Sequence, residues 1–208
     1  MRPPNFALYL ITDRTATQGR NLLWVLEQAL DGGVKAIQLR EKDLDGKNLF
    51  DLATKVSALC RRYNAELFIN DRIDIALGVE AAGVQLGKAS LPIAAARALL
   101  GTARAIGYSA HSLAEARDAE REGADFILFG PVYFTPSKAP YGPPQGLTAL
   151  KNIVEKIALP VYAIGGVNAD NLAQSMNTGI HGVALISAIM GAENPASATK
   201  TIITLLAR

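Results

Sequence analysis

The sequence is poor in the residues that staple, anchor or recruit. One cysteine, Cys60, rules out an internal disulfide, and a lone thiol is the pattern of a reducing, cytoplasmic compartment. Neither sign of charge is in excess, with 21 Lys and Arg against 19 Asp and Glu. The basic residues are spread along the chain, so neither nucleic acid nor a membrane surface is an expected partner, and any anion site must be local. No apolar run approaches the roughly 20 residues that a membrane span needs. The N-terminal run is too short for a signal-peptide core and meets Thr12-Asp13-Arg14 at once, so it reads as a first strand. A GxGxxG turn, expected after an early strand of an open dinucleotide-binding sheet, is missing from TDRTATQGRN.

What is present is a core. Of the 208 residues 50% are hydrophobic and 19% charged, which suits a soluble globular enzyme and excludes disorder; this length favours one domain over residues 1–208. Short apolar runs alternate with longer segments of helical period. The runs are Ala7–Ile11, Ala36–Leu39, Leu67–Ile69, Val84–Leu86, Arg104–Tyr108, Phe126–Phe129, Val161–Ile164 and Val183–Ile186. Between them lie helical stripes such as Leu49, Leu52, Ala53, Val56, Leu59 and Cys60. Ser112 and Glu115 form a capping box, Gly123 is a helix stop, and Gly32-Gly33 end the first helix. About eight strand-then-helix units of this order predict an α/β fold, a closed (β/α)8 TIM barrel. The open doubly wound sheet is the rival.

Chemistry in such a barrel gathers where strands end. The residues after each run are Thr12-Asp13, Arg40-Glu41-Lys42, Asn70-Asp71, Gly87-Lys88, Ser109-Ala110-His111, Gly130, Gly165-Gly166 and Ser187. After the seventh strand two glycines lead to a helix with Asn168 or Asp170 near its cap, and the eighth ends at Ser187. Both favour an oxyanion, so a phosphate is expected there, against the plainer reading of a tight turn. Arg40 and Lys42 flank Glu41 either as a solvated loop or as a second anion clamp. Asp71 either caps the next helix or binds magnesium. His111 is a candidate acid–base group on the rim, whereas His181 precedes the last strand and is expected to be structural. The segment from Gly130 to Gly146 holds five of the ten prolines and reads as a lid or binding loop.

Taken together, QLREK, FINDRIDIAL, IGYSAHS, GPVYFTPSK, GPPQGL, AIGG and ISAI resemble the thiamine phosphate synthase family and its thiazole tautomerase relatives over nearly the whole chain. The resemblance implies an enzyme acting on phosphorylated heterocycles, as an oligomer or a monomer. A synthase joins an aminopyrimidine diphosphate to a thiazole phosphate with magnesium and releases pyrophosphate. By that resemblance Gln38, Arg40, Lys42, Asn70, Ser109 and Lys138 would clamp the diphosphate. Asp71 would bind magnesium, and Thr135, Ser137, Gly166, Ile186 and Ser187 would hold the thiazole phosphate.

One stretch departs from the synthase pattern, HLGQ-x-D, whose aspartate is the second magnesium ligand. Here Gln85-Leu86-Gly87-Lys88-Ala89-Ser90 puts a serine in its place. Serine brings no charge, and Lys88 would repel a cation. This stretch and YSAHSL look like the tautomerases, which shift a proton on a carboxythiazole phosphate without metal. The leading expectation is therefore a tautomerase with His111 as proton shuttle and no cofactor. The alternatives are a magnesium-dependent synthase, with Asp74 or water compensating for Ser90, and a catalytically silent thiazole phosphate-binding protein.

Overall fold

The computed structural model describes residues 4–136 and 142–207. Eight parallel strands close in sequence order, each hydrogen-bonded to its neighbours and β8 to β1. They are β1 (Leu8–Ile11), β2 (Ala36–Leu39), β3 (Glu66–Asn70), β4 (Gly83–Leu86), β5 (Ala105–Ala110), β6 (Phe126–Phe129), β7 (Val161–Ile164) and β8 (Gly182–Leu185). Helices follow each: α1 (Leu22–Asp31), α2 (Gly46–Arg62), α3 (Ile73–Gly78), α4 (Ile93–Leu100), α5 (Leu113–Glu122), α6 (Gly146–Lys156), α7 (Leu172–Met176), then α8 (Ser187–Met190) and α9 (Pro195–Leu206). The closed barrel is the expected fold, and the open sheet is excluded.

Strand alternation sorts side chains into two cores. Leu10, Ile37, Leu39, Leu67, Ile69, Val84, Ile106, Ile127, Val161 and Val183 point outward and pack beneath the helices. The inward positions Tyr9, Ile11, Ala36, Phe68, Phe126, Leu128, Tyr162 and Ala184 fill the barrel with Phe6, which plugs its N-terminal end. Phe6 lies 5.3 to 6.0 Å, ring centroid to centroid, from Tyr9, Phe68, Phe126 and Tyr162. The Tyr162 hydroxyl donates to the Phe6 carbonyl at 2.6 Å, giving a buried polar group its partner.

Three strands differ from the apolar runs at their C-terminal ends. β3 extends through Asn70, β5 begins at Ala105 and continues through Ser109 and Ala110, and β8 stops at Leu185. Ser109 pairs with Leu128 and Ala110 with Phe129. A ladder needs backbone partners, not apolar side chains, so it outlasts the hydrophobic signal. Asn70 and Ser109 therefore sit on rigid strands rather than in loops. The cap after β5 forms as expected: Ser112 Oγ accepts from Glu115 N, and Gly123 closes α5 at φ +94°. The helix after β7 has five residues with Asn171 at its cap position, and Asn168 Oδ1 accepts from Asp170 N and Asn171 N just before it.

Candidate active site

Counting inward steps from the barrel interior toward the C-terminal ends of the strands leads to Gln38 on β2, Asn70 on β3, Gln85 on β4 and Ser109 on β5, and to Arg40, His111, Gly166 and Ile186 just beyond β2, β5, β7 and β8. Their shared parity with the interior aromatics explains why one mouth receives them.

The trio after β2 separates. Glu41 is buried, and its Oε2 accepts from the backbone N and the Nε of Arg14 at 3.2 and 3.1 Å. It anchors the β1 loop, correcting the expectation of a uniformly solvated segment; outward parity under the loop is the reason. Arg14 also reaches Asp43 at 2.6 Å and holds that carboxyl below its ordinary range, chiefly by this hydrogen bond. Arg40 is half-buried and Lys42 exposed. The backbone N of Arg40 donates to Thr12 Oγ1 at 2.9 Å, which fixes where the guanidinium leaves the strand. Gln38 is almost wholly buried one inward step below, with the Tyr9 hydroxyl beside its amide but closing no hydrogen bond of normal geometry.

Asp71 is not a helix cap. It takes a left-handed backbone, φ +60°, and α3 starts two residues later without any side-chain cap. Its carboxylate faces the rim, with Oδ2 accepting from Asn70 Nδ2 at 2.7 Å and Oδ1 accepting from Ser90 Oγ. The strained turn puts the carboxylate on the rim rather than on α3, and such conformations concentrate at functional sites. Ser90 is itself held, its Oγ accepting from Gly87 N at 2.7 Å. Asp74, a possible substitute carboxylate, is engaged elsewhere: Arg72 Nε and Nη2 grip it at 2.9 and 2.6 Å and hold its carboxyl below the ordinary range. Lys88 lines a lateral groove of about 240 Å³ shared with Tyr108, Glu115, Asp118 and Glu122.

On β5, Ser109 Oγ accepts from Gln85 Nε2 at 3.0 Å. Two residues on, His111 is exposed with both ends of its backbone-to-ring geometry fixed. Its N donates to Glu115 Oε2 at 2.7 Å, and Nδ1 lies 2.5 Å from the Gly130 carbonyl. A carbonyl only accepts, so Nδ1 carries the proton that faces it.

The loops after β6 and β7 are built together. Val132 N and Tyr133 N donate to Ile164 O and Gly165 O at 2.9 Å, and the Tyr133 hydroxyl donates to Asn171 O at 3.2 Å. Gly165 and Gly166 have φ of +92° and +68°; a Cβ on either would fall 2.6 Å from Pro131 or from Phe134 O. The tight-turn reading of these glycines is correct as far as it goes, and their carbonyls are taken, Gly165 O by Tyr133 N and Gly166 O by Asn171 Nδ2, both at 2.9 Å. Thr135 is half-buried nearby, while Ser137 and Lys138 lie outside the described residues. Ser187 opens α8, in which Ile189 N and Met190 N both donate to Ile186 O, at 3.2 and 2.9 Å. His181 sits at the opposite end of the barrel, Nε2 3.2 Å from Pro4 O, as a structural residue should.

Gln85, Glu115 and Tyr133 support this site and escaped the sequence reading. Gln85 carried one signal, a polar residue on an inward step inside an otherwise apolar strand. Glu115 was visible only as a cap, and Tyr133 makes contacts that no local pattern encodes.

With this geometry in view, residues 8–189 match the family model described as thiamine monophosphate synthase. The chain belongs to that family. It is 43% identical to the thiamine-phosphate synthase of Clostridium novyi, over 95% of this chain and 97% of that one. A Geobacter sulfurreducens protein, provisionally given the same designation, is 48% identical over 99% and 97%. The solved thiamine phosphate pyrophosphorylase of Pyrococcus furiosus superposes with a TM-score of 0.87 at 40% identity, covering 96% of this chain and 95% of that one. A 3-hexulose-6-phosphate synthase at 19% identity and TM-score 0.71 shares the fold alone. The chain is thus an enzyme of thiamine biosynthesis, and the Clostridium novyi relative is designated a synthase.

Proposed function

We propose that this family member is a thiamine-phosphate synthase, coupling an aminopyrimidine diphosphate to a thiazole phosphate. The carrying observation is the grouping of Arg40, Asn70, Asp71 and Ser109 on the β2–β5 side of one mouth, with Gly166, Ile186 and Ser187 on its β7–β8 side. Two anions can thus be held with their rings facing each other, the arrangement that coupling requires. This reading replaces the expectation of a tautomerase, because relatives 48% and 43% identical to this chain carry the synthase designation, the first of them provisionally.

In the reaction a thiazole nitrogen forms a bond to the pyrimidine methylene carbon as the carbon–oxygen bond to diphosphate breaks. Pyrophosphate leaves with both electrons of that bond. Arg40 and Lys42 stabilise the growing charge on the leaving group, and Asn70 and Ser109 orient it. Gly166, Ile186, Ser187 and Thr135 hold the thiazole phosphate, and the family resemblance adds Ser137 to them and Lys138 to the diphosphate clamp.

The donor set fits magnesium in one form. Among the described residues no group of three His, Cys, Asp or Glu side chains converges. Asp71 offers a carboxylate and Ser90 a hard oxygen in contact with it, and magnesium commonly uses one or two carboxylates, with phosphate oxygens and water completing its shell. When bound, the ion neutralises charge on the diphosphate. Purified protein given both heterocycles and magnesium should release pyrophosphate and thiamine phosphate, with Asp71→Ala reducing the rate at least about 100-fold. No product from the unaltered protein would overturn the reading.

His111 favours a second reading, since Nδ1 against the Gly130 carbonyl fixes an imidazole just beyond β5. A proton shift on carboxythiazole phosphate would then occur without metal and be lost in His111→Gln. Turnover in either assay excludes a silent binding protein.

A further inference from the structure

Gln85 has no place in the scheme above, yet it sits under the middle of it. The side chain is 2% exposed on an inward step of β4. Its backbone carbonyl accepts from Asp71 N at 3.0 Å, its Nε2 donates to Ser109 Oγ at 3.0 Å, and its Oε1 is buried without a partner. The amide crosses β5 where Gly107 leaves room for it: a Cβ at position 107 would fall 2.3 Å from Oε1. An unpaired buried acceptor is costly, so this orientation needs a reason.

We propose that Gln85 is a positioning residue that sets the direction of the Ser109 hydroxyl. By donating to Ser109 Oγ it occupies a lone pair there and leaves the hydroxyl proton for an anion in the mouth. Were the amide reversed, Oε1 would take the Ser109 proton and lone pairs of the hydroxyl would face the anion. Glutamine keeps the serine a donor, and the unpaired Oε1 is the consequence. This inference rests on the reading of Ser109 as part of the diphosphate clamp.

The test is a double-mutant cycle on the full chain, with inorganic pyrophosphate as the titrated probe and KM for the pyrimidine diphosphate as a second readout. Gln85→Met keeps the volume and removes the donor. Gln85→Met and Ser109→Ala should each weaken pyrophosphate binding about ten-fold, as expected for a hydrogen bond to a charged group. The double variant should be no weaker than Ser109→Ala alone, and thiazole phosphate affinity should stay unchanged in all three. Additive losses, or an equal loss of thiazole phosphate binding, would make Gln85 merely structural and overturn the proposal. Should Gln85→Met fail to fold, side-chain amide NMR on unaltered protein and Ser109→Ala decides. One protected Gln amide proton should shift with pyrophosphate and lose protection in Ser109→Ala; an amide indifferent to Ser109→Ala refutes it. If the unaltered protein binds no pyrophosphate and couples nothing, the synthase reading fails instead.

Discussion

Asp71 and Ser90 show how one substitution can be compatible with two chemistries until its contacts are known. Serine at position 90 removes a charge, but its hydroxyl touches the remaining carboxylate. Ser90→Asp would set two carboxylates against each other, which costs stability without a cation and gains affinity with one. The variant should melt below the parent in chelator, recover in magnesium, and need about ten-fold less magnesium for half-maximal coupling, since a nearby unit charge is worth a kcal/mol or more in partly screened surroundings. Thermal melting and a magnesium titration read both effects. Cys60 gives a simpler prediction. It is 1% exposed, and burial pushes its thiol up to about 12, so almost no thiolate exists at neutral pH. A thiol reagent should label native protein very slowly and label one thiol per chain at once in denaturant.

At the scale of elements, the barrel is secured by contacts between loops that no helix or strand pattern contains. Arg97 on α4 reaches the carbonyls of Gly101, Arg104 and Gly123 and meets Asp125 at 2.5 Å, while Asp125 Oδ2 also accepts from Ile106 N at 2.7 Å. Asp125 is buried, so Arg97→Ala strands its charge and should cost about 3–5 kcal/mol in a denaturant titration. Gly165 couples two active-site loops. Gly165→Ala adds a Cβ 2.6 Å from Pro131 at φ +92°, a strain of about 1–3 kcal/mol before any clash is relieved. That variant should lose thiazole phosphate affinity while pyrophosphate still binds on the β2–β5 side; separate titrations of the two ligands distinguish these outcomes.

Over the whole molecule, the two ends of the barrel do different work. The N-terminal end is filled by Phe6 and the four aromatic rings around it, and the C-terminal strand ends carry polar residues such as Asn70 and Ser109. Phe6→Ala should cost about 3–5 kcal/mol by leaving a cavity that the closed sheet cannot collapse into. Because the cavity lies at the far end from the mouth, pyrophosphate affinity of the folded variant should be unchanged. No described helix is long and apolar enough to cross a membrane.

The alternation of apolar runs and helical stripes already carried the barrel, because burying a parallel sheet on both faces leaves a legible pattern in the chain. So did the rim residues from Arg40 to Ser187, because a strand end is visible wherever hydrophobicity stops. It was tertiary structure that sent Glu41 into the shell and Arg40 to the mouth, freed Asp71 from capping duty, and joined it to Ser90, 19 residues away. These outcomes depend on inward or outward parity and on which neighbouring strand supplies the partner. Both are set only when the sheet closes and fixes its register.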